Sequence, residues 1–182
     1  TDEVLEKIKN WKGEKKLLVY IGGLSDNKGI GELLKAFKEV SAQNSKWKLL
    51  VGGYGEDEEK YKSFVRENNL EDSVYFVGRV GYFSLPAYLA LADAAIEPKR
   101  NSTESSGKLM NLMAAGLPIV CFDNDFNRAR LGEKGFYMVN YGDLENVLRD
   151  FNQPARVDYE LDDHGEEKET RKLFDIFQSL IK

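Results

Sequence analysis

The residues best suited to chemistry lie in 101–120, NSTESSGKLMNLMAAGLPIV. This stretch predicts a polar loop, a helix over 106–115 that is apolar almost all round, a glycine stop and a buried strand. The start of the helix nevertheless carries small and polar residues, namely Ser105, Ser106, Gly107, Lys108 and Asn111. Buried polar groups need partners, because an unpaired one costs about 1–3 kcal/mol. Since the free N–H groups of a helix N-terminus bind phosphate, we interpret this start as a phosphate site.

Three of these polar side chains could form one stripe. Lys108 and Asn111 are three residues apart and share a helix face. If the helix begins slightly earlier, Glu104 joins them. In the alternative interpretation, the Lys108 side chain extends to solvent and Asn111 is a core amide with its hydrogen bonds satisfied.

A second lysine falls in a comparable place. Lys28 follows the first apolar run in GGLSDNKGI, and we expect it to open the first helix of the sheet domain. A helix N-terminus favours anions rather than cations. A bound anion would explain this lysine, and so would plain surface exposure.

Six apolar runs must position these residues. We predict strands over 17–23, 47–53, 74–78, 94–98, 118–122 and 136–139. We predict helices over 29–42, 57–69, 84–92, 106–115 and 143–151. Short, continuous apolar strands that alternate with helices indicate a parallel sheet covered on both faces. The predicted fold is therefore α/β, a Rossmann-like doubly wound sheet of about six strands.

Glycines cluster directly after the predicted strands, at Gly22, Gly23, Gly52, Gly53, Gly55, Gly78 and Gly81. Open α/β sheets bind ligands outside the carboxyl ends of their strands, where the strand order reverses. Glycine there allows the backbone to approach a ligand closely. Ordinary tight turns are the alternative for several of these residues, and the pair Gly22 and Gly23 is the best functional candidate.

Composition excludes several classes of protein. The chain has 182 residues and a net charge of −5, with acidic residues crowded into 158–169, which disfavours nucleic acid as a partner. One cysteine, Cys121 in an apolar strand, and one histidine, His164 in an acidic loop, cannot build a structural zinc site. No apolar run approaches the ~20 residues of a membrane-spanning helix, and nothing resembles a signal peptide.

The common nucleotide motifs are also missing. The dinucleotide fingerprint G-x-G-x-x-G does not follow any predicted strand, and Gly53–Tyr54–Gly55 leads into acidic residues that would repel a pyrophosphate. No P-loop lysine motif occurs. A flavodoxin-like signalling domain would need an acidic pocket after its first strand, where this chain has glycines and a lysine.

Taken together, these motifs resemble those of a known protein family. The order GGLSDNKGIGELLKAF, LLVGGYGED, VYFVGRV, AAIEP and ESSGKLMNLMAAGLPIV is similar to the C-terminal domain of GT-B glycosyltransferases. It looks most like the large retaining group 1 family, family 4, over about residues 17–142. The resemblance implies that a nucleotide-diphosphate sugar binds in a cleft between two Rossmann-like domains, of which this chain supplies the donor-binding half.

The resemblance also assigns roles to matching positions. The diphosphate would be held at the helix N-terminus by Ser105, Ser106, Gly107 and Lys108, with Lys28 as a further phosphate partner. The nucleobase would be bordered, largely through backbone, by Gly78, Arg79 and Val80. Glu104 would approach the sugar, and Lys108 would stabilise the negative charge that develops on the leaving nucleoside diphosphate. No metal cofactor is implied, because lysines and a helix dipole replace the divalent cation.

Three positions depart from the family pattern. Gly23 stands where the family usually has an arginine. Asn111 replaces the second glutamate, which usually hydrogen-bonds the ribose, although an amide can still donate and accept. Glu104 lies seven residues before Asn111, one fewer than the usual spacing.

These considerations give the expected organisation and two alternatives. Residues 1–13 are predicted to be a linker or N-terminal helix, 14–152 the Rossmann-like nucleotide-sugar-binding domain, and 153–182 an acidic loop with a C-terminal helix. An acceptor glycan or lipid-linked sugar would be bound by an N-terminal domain outside this chain, so that the chain alone transfers nothing. The whole protein would serve cell-envelope polysaccharide synthesis, in the cytoplasm or peripherally on the membrane. The alternatives are a non-catalytic glycosyltransferase-like module and a GT-B nucleotide-sugar epimerase.

Overall fold

One parallel sheet organises the molecule. The structure is a computed structural model that describes residues 2–43, 46–100, 107–151, 156–159 and 175–179. The strands are β1 (Lys16–Ile21), β2 (Trp47–Gly52), β3 (Val74–Gly78), β4 (Ala94–Glu97), β5 (Ile119–Phe122) and β6 (Phe136–Met138). They lie in the order β3-β2-β1-β4-β5-β6, and every neighbouring pair is parallel. The predicted doubly wound α/β fold is confirmed.

Helices cover both faces of this sheet. They include α1 (Asp2–Lys12), α2 (Ile30–Gln43), α3 (Glu58–Glu67), α4 (Leu85–Ala90), α5 (Gly107–Ala114), α6 (Asp125–Leu131) and α7 (Asp143–Arg149), and the described residues 175–179 are also helical. Short 3₁₀ turns span Asp26–Lys28 and Gly132–Lys134.

Helix α6 was not predicted from the sequence. Parallel strands such as β5 and β6 need a crossover connection, which α6 supplies. Its sequence DFNRARL buries only Asn127 and Leu131, so it shows little of the apolar periodicity by which a helix is recognised. Its cap is clear in the structure, because the Asn124 side chain accepts a hydrogen bond from the N–H of Asn127 at 2.9 Å.

The core divides into two layers, one on each face of the sheet. In β1, Leu18 and Tyr20 face the layer beneath α2, α3 and α7, whereas Leu17 and Val19 face the layer beneath α1, α4 and α5. Since side chains alternate along a strand, a run that is apolar at every position must be buried on both faces. The interpretation of Cys121 as a core residue is confirmed, because this free cysteine is fully buried.

Helix α5 is anchored by its apolar side. Leu109, Leu112 and Met113 are buried in the second layer, and burying such a side chain contributes about 1.5–3 kcal/mol. Lys108 and Asn111 on the same helix are only half-buried. The hydrophobic residues thus fix the helix, and the polar residues at its start are held in a defined place.

The ends of the chain are described in part. In α1, Ile8 is fully buried and the Trp11 ring lies 5.4 Å from the Tyr75 ring, so this helix packs on the sheet. Glu104, Ser105, Ser106 and His164 lie outside the described residues, as do most of 153–182. The proposed domain boundaries therefore stay a prediction. Within the described ranges, no helix is long and apolar enough to cross a membrane.

Candidate functional site

The sheet order reverses between β1 and β4. From β1 the chain continues outward to β2 and β3, and from β4 it continues outward to β5 and β6 on the other side. The two strands are direct neighbours, with Leu18 opposite Ala94 and Val19 opposite Ala95. Their carboxyl ends therefore form the crevice in which open α/β sheets bind ligands.

Lys108 reaches this crevice from the first turn of α5. Its Nζ lies 2.9 Å from Oε2 of Glu97, the last residue of β4, and 5.0 Å from the centroid of the Tyr20 ring in β1. The Lys108 side chain is 30% exposed, whereas that of Glu97 is 3% exposed. The partly exposed lysine side chain thus pairs with a carboxylate that is almost completely buried.

Gly22 makes room for this ammonium group. A Cβ atom at position 22 would lie 2.9 Å from Lys108 Nζ and 2.8 Å from the Tyr20 hydroxyl. That hydroxyl donates a hydrogen bond to the carbonyl of Gly23 at 2.7 Å, which fixes the turn after β1. The choice of Gly22 as a functional candidate therefore has a geometric basis, since a side chain there would displace Lys108 or Tyr20.

Glu97 was not found by the sequence analysis. It is one of two buried polar or charged residues that the structure describes. Burial, and secondly the charge of Glu97, raise the pKa of the Tyr20 hydroxyl. The same two causes, in the same order, raise the pKa of Cys121 to about 12. The signal in the sequence was a glutamate inside the apolar strand AAIEP, because a carboxylate is costly to bury unless it is paired and hydrogen-bonded.

Lys28 lies at the same edge of the sheet but in a different setting. It ends the 3₁₀ turn Asp26–Lys28, and Gly29, with φ 77°, separates it from α2. The expectation that Lys28 opens the first helix was wrong, because the left-handed glycine ends one turn before the next helix begins. The Lys28 stem passes 3.7 Å from where a Cβ of Gly23 would lie. Among the described residues, no carboxylate pairs with Lys28.

The turn that carries Lys28 is fastened to the end of β4. A Cβ atom at Gly29 would collide with the carbonyl of Pro98, the residue after Glu97. The Tyr141 hydroxyl donates to the same carbonyl at 2.7 Å. These contacts bring the two lysine-bearing segments, after β1 and after β4, to one edge.

Glycines allow the loops of this edge to touch through their backbones. The N–H of Gly22 donates to the carbonyl of Gly52 at 2.9 Å, and the N–H of Gly53 donates to the carbonyl of Gly78 at 2.8 Å. Gly53 has φ 145°, and a Cβ there would collide with the Gly22 carbonyl. Packing between loops therefore explains Gly53 without a ligand.

The segment after β3 lies farther along the same edge. Gly78 ends β3 with φ 72°, and the Arg79 guanidinium stands 4.8 Å above the Tyr54 ring. Val80 packs beside Gly52. Three aromatic side chains here are strongly exposed, with Tyr54 at 59%, Tyr82 at 55% and Phe83 at 91%. These aromatic residues were not predicted from the sequence to be part of the site.

The remaining predicted residues are placed by α5. Gly107 begins the helix, and Asn111 lies one turn after Lys108. Within the described ranges, no group of three or more His, Cys, Asp or Glu side chains could hold a metal ion.

The six-stranded parallel sheet, with a lysine-bearing helix at the point where the strand order reverses, defines this domain as Rossmann-like. Comparison with known families gives a more specific assignment. The model of the family Glycosyl transferases group 1 matches residues 1–152. The chain therefore belongs to this family of glycosyltransferases, whose C-terminal domain it represents.

Individual proteins agree with that assignment. The chain is 29% identical over 141 residues to alpha-monoglucosyldiacylglycerol synthase of Streptococcus pneumoniae, covering 78% of this chain and 32% of that protein. Anabaena HepE in complex with UDP-glucose superposes with a TM-score of 0.68 at 16% identity, covering all of this chain and 47% of HepE. The C-terminal domain of a group 1 family protein, LpcC of Francisella tularensis, gives a TM-score of 0.69 at 13% identity, covering 100% of this chain and 93% of that one. The chain spans about a third of the length of the curated relatives that it matches.

Proposed function

We propose that this chain is the donor-binding domain of a retaining glycosyltransferase. It binds a nucleotide-diphosphate sugar at the carboxyl edge of β1 and β4, for transfer of the sugar to an acceptor hydroxyl. The observation that carries the proposal is the position of Lys108. Its ammonium group lies at the reversal point of the sheet, on the first turn of a helix and beside a glycine that leaves it room.

The chemistry of the proposed site is charge stabilisation. When the bond between the sugar and the terminal phosphate breaks, negative charge develops on the leaving nucleoside diphosphate. Lys108, Lys28 and the N–H groups at the start of α5 are groups that favour such charge. In this proposal the two lysines take the place of a divalent metal ion, and Ser105, Ser106 and Gly107 would add hydrogen bonds.

The other parts of the donor would lie along the same edge. The segment Gly78, Arg79 and Val80 would border the nucleobase, and the position of the Arg79 guanidinium over the Tyr54 ring supports this choice. Asn111 would hydrogen-bond the ribose, and Glu104 would approach the sugar. HepE, which has a similar fold, was crystallised with UDP-glucose.

The acceptor would be bound elsewhere in the whole protein. We propose that a second domain holds an acceptor glycan or a lipid-linked sugar, so that this chain alone binds the nucleotide and transfers nothing. The name of the pneumococcal relative, a monoglucosyldiacylglycerol synthase, supports a lipid-linked acceptor. Such an acceptor would bring a cytoplasmic protein to the membrane surface for cell-envelope synthesis.

Nucleotide binding tests the proposal directly. UDP, GDP and ADP are titrated into isotope-labelled protein, and the backbone amide shifts of Gly22, Lys28, Lys108 and Asn111 are followed. At least one nucleotide should move these amides, while amides at the opposite edge, such as Leu17, stay unchanged. The absence of shifts at this edge with all three nucleotides would overturn the proposal.

A non-catalytic module is the second candidate, favoured by Gly23, which brings no charged side chain to the phosphate site. Turnover by the full-length protein separates the two. Lys108→Ala should lower kcat by about a hundredfold or more, as the loss of a charge-stabilising group does in other enzymes. Lys35→Ala removes an exposed lysine on α2 and serves as the control. Unchanged turnover in Lys108→Ala would favour the module.

A further inference from the structure

We propose that Glu97 is a built-in counter-ion of the phosphate site, and that its charge sets how tightly the site holds a nucleoside diphosphate. The inference rests on the proposed function, because it requires a phosphate beside Lys108.

The side chains of Glu97 and Lys108 are buried to different degrees. Glu97 is 3% exposed and Lys108 is 30% exposed, with 2.9 Å between Oε2 and Nζ. The N–H of Lys99 also points toward Oε1 of Glu97, at 3.4 Å. The carboxylate is therefore the more deeply buried member of the pair. An anion bound to the accessible part of the Lys108 side chain would have the Glu97 carboxylate close by.

The net charge of the Glu97–Lys108 ion pair affects how strongly the site attracts an anion. A buried carboxylate is costly unless it is paired, and Lys108 is a cationic partner of Glu97. Together the two side chains carry no net charge. Lys108 therefore offers a phosphate a strong hydrogen-bond donor, but its positive charge is already compensated. Lys28, which pairs with no carboxylate among the described residues, brings a second positive charge to this edge.

The negative charge of Glu97 would repel a bound phosphate. A phosphate oxygen bonded to the outer side of Nζ would lie roughly 5 Å from the Glu97 carboxylate, given ordinary hydrogen-bond lengths. At that separation like charges repel appreciably, even at the effective dielectric constant of a partly exposed site. Glu97 thus weakens the binding of a diphosphate. This would favour release of the nucleoside diphosphate product, a step that limits many enzymes.

A purely positioning role for Glu97 predicts the opposite sign. If the carboxylate only held Lys108 in place, its removal would let the lysine move and would weaken phosphate binding. Glu97→Gln separates the two roles, because glutamine keeps the size of the side chain and an oxygen that accepts from Lys108. The negative charge is lost, and one of the two acceptor oxygens becomes an NH2 group.

Titration calorimetry with pyrophosphate, UDP and uridine tests the inference. Glu97→Gln should bind pyrophosphate and UDP about tenfold more tightly than the wild-type chain. Its affinity for uridine, which carries no phosphate, should not change, and the gain should shrink at high salt. Asp93→Asn is the matched control. It removes a carboxylate at the other end of β4, paired with Lys12 at 2.8 Å, and should leave all three affinities unchanged.

Glu97→Gln in a Lys108→Met variant tests the charge of Glu97 separately from its effect on the position of Lys108. Lys108→Met has no ammonium group to position, yet adding Glu97→Gln to it should still tighten pyrophosphate binding. Equal or weaker binding after Glu97→Gln in both backgrounds would overturn the inference alone, since the wild type would still bind. Failure of the wild-type chain to bind pyrophosphate, UDP, GDP or ADP would overturn the proposed function and the inference with it.

Discussion

The two ends of strand β4 carry the same kind of ion pair in different surroundings. At the amino end, Asp93 pairs with Lys12 at 2.8 Å and accepts a hydrogen bond from the N–H of Leu17 at 2.7 Å. At the carboxyl end, Glu97 pairs with Lys108 at 2.9 Å. Asp93 is 38% exposed and Glu97 is 3% exposed. The first pair ties α1 to the sheet, while the second places a buried charge under a candidate binding site.

Removing the lysine of each pair should give the largest difference. Lys108→Met removes the ammonium group that pairs with the buried Glu97 carboxylate, and we expect the free energy of unfolding to fall by about 3 kcal/mol. Lys12→Met leaves a carboxylate that water can reach, and the loss should stay below about 1 kcal/mol. Urea denaturation at pH 7 measures both. Combining Lys108→Met with Glu97→Gln should recover most of the loss, and equal losses in the two single variants would remove the distinction between the ends of β4.

The crowding around Lys108 gives the next effect. Gly22→Ala puts a methyl group 2.9 Å from Lys108 Nζ, whereas Gly23→Ala meets only the Lys28 stem at 3.7 Å. We expect Gly22→Ala to weaken pyrophosphate binding about tenfold, the effect of losing one charged hydrogen bond, and Gly23→Ala to leave it nearly unchanged. Calorimetry measures both affinities. Equal binding by the two variants would mean that the position of Lys108 does not matter for the ligand.

A further expected effect is a pH dependence of stability at the carboxyl end of β4. Cys121 lies opposite Glu97 in the sheet, and burial, then the charge of Glu97, raises its pKa from 9.0 to about 12. Because the fold favours the neutral thiol, this contribution to stability is complete below pH 9 and is lost as pH rises toward 12.

Replacing the thiol isolates this contribution. Cys121→Ala should flatten the decline in unfolding free energy between pH 9 and 10.5, by at most about 1.4 kcal/mol per pH unit. Urea denaturation at several pH values gives the slopes. The buried tyrosines, whose pKa values are also raised, remain in both proteins and supply the common background. Identical slopes would show that Cys121 ionises as easily in the fold as outside it.

The architecture could be predicted because most residues of the strands are apolar. In β1 the four central residues, 17–20, are all buried, and a short continuous apolar run is typical of a strand in a parallel sheet covered on both faces. The short helix α6 could not be predicted, since two buried residues in seven do not define a period.

Of the candidate site, only the positively charged residues could be predicted from the sequence. Lys108 and Lys28 stand out as charged residues next to strand ends and helix starts. Glu97 does not, because its partner is eleven residues away along the chain and meets it only when α5 packs on β4. The aromatic residues Tyr54 and Phe83 escaped for a similar reason, since exposure cannot be inferred from residue type. A sequence lists charges, and folding decides which of them compensate one another.

The carbonyl of Pro98 has a consequence for motion. It is in contact with Gly29 and accepts a hydrogen bond from Tyr141, so three loops from separate parts of the chain meet at one atom. Loops that share such a junction lose the freedom to fluctuate independently. We therefore expect the segments that carry Lys28 and Glu97 to relax together on the nanosecond scale, and a ligand that binds between them to lose little additional entropy by ordering them.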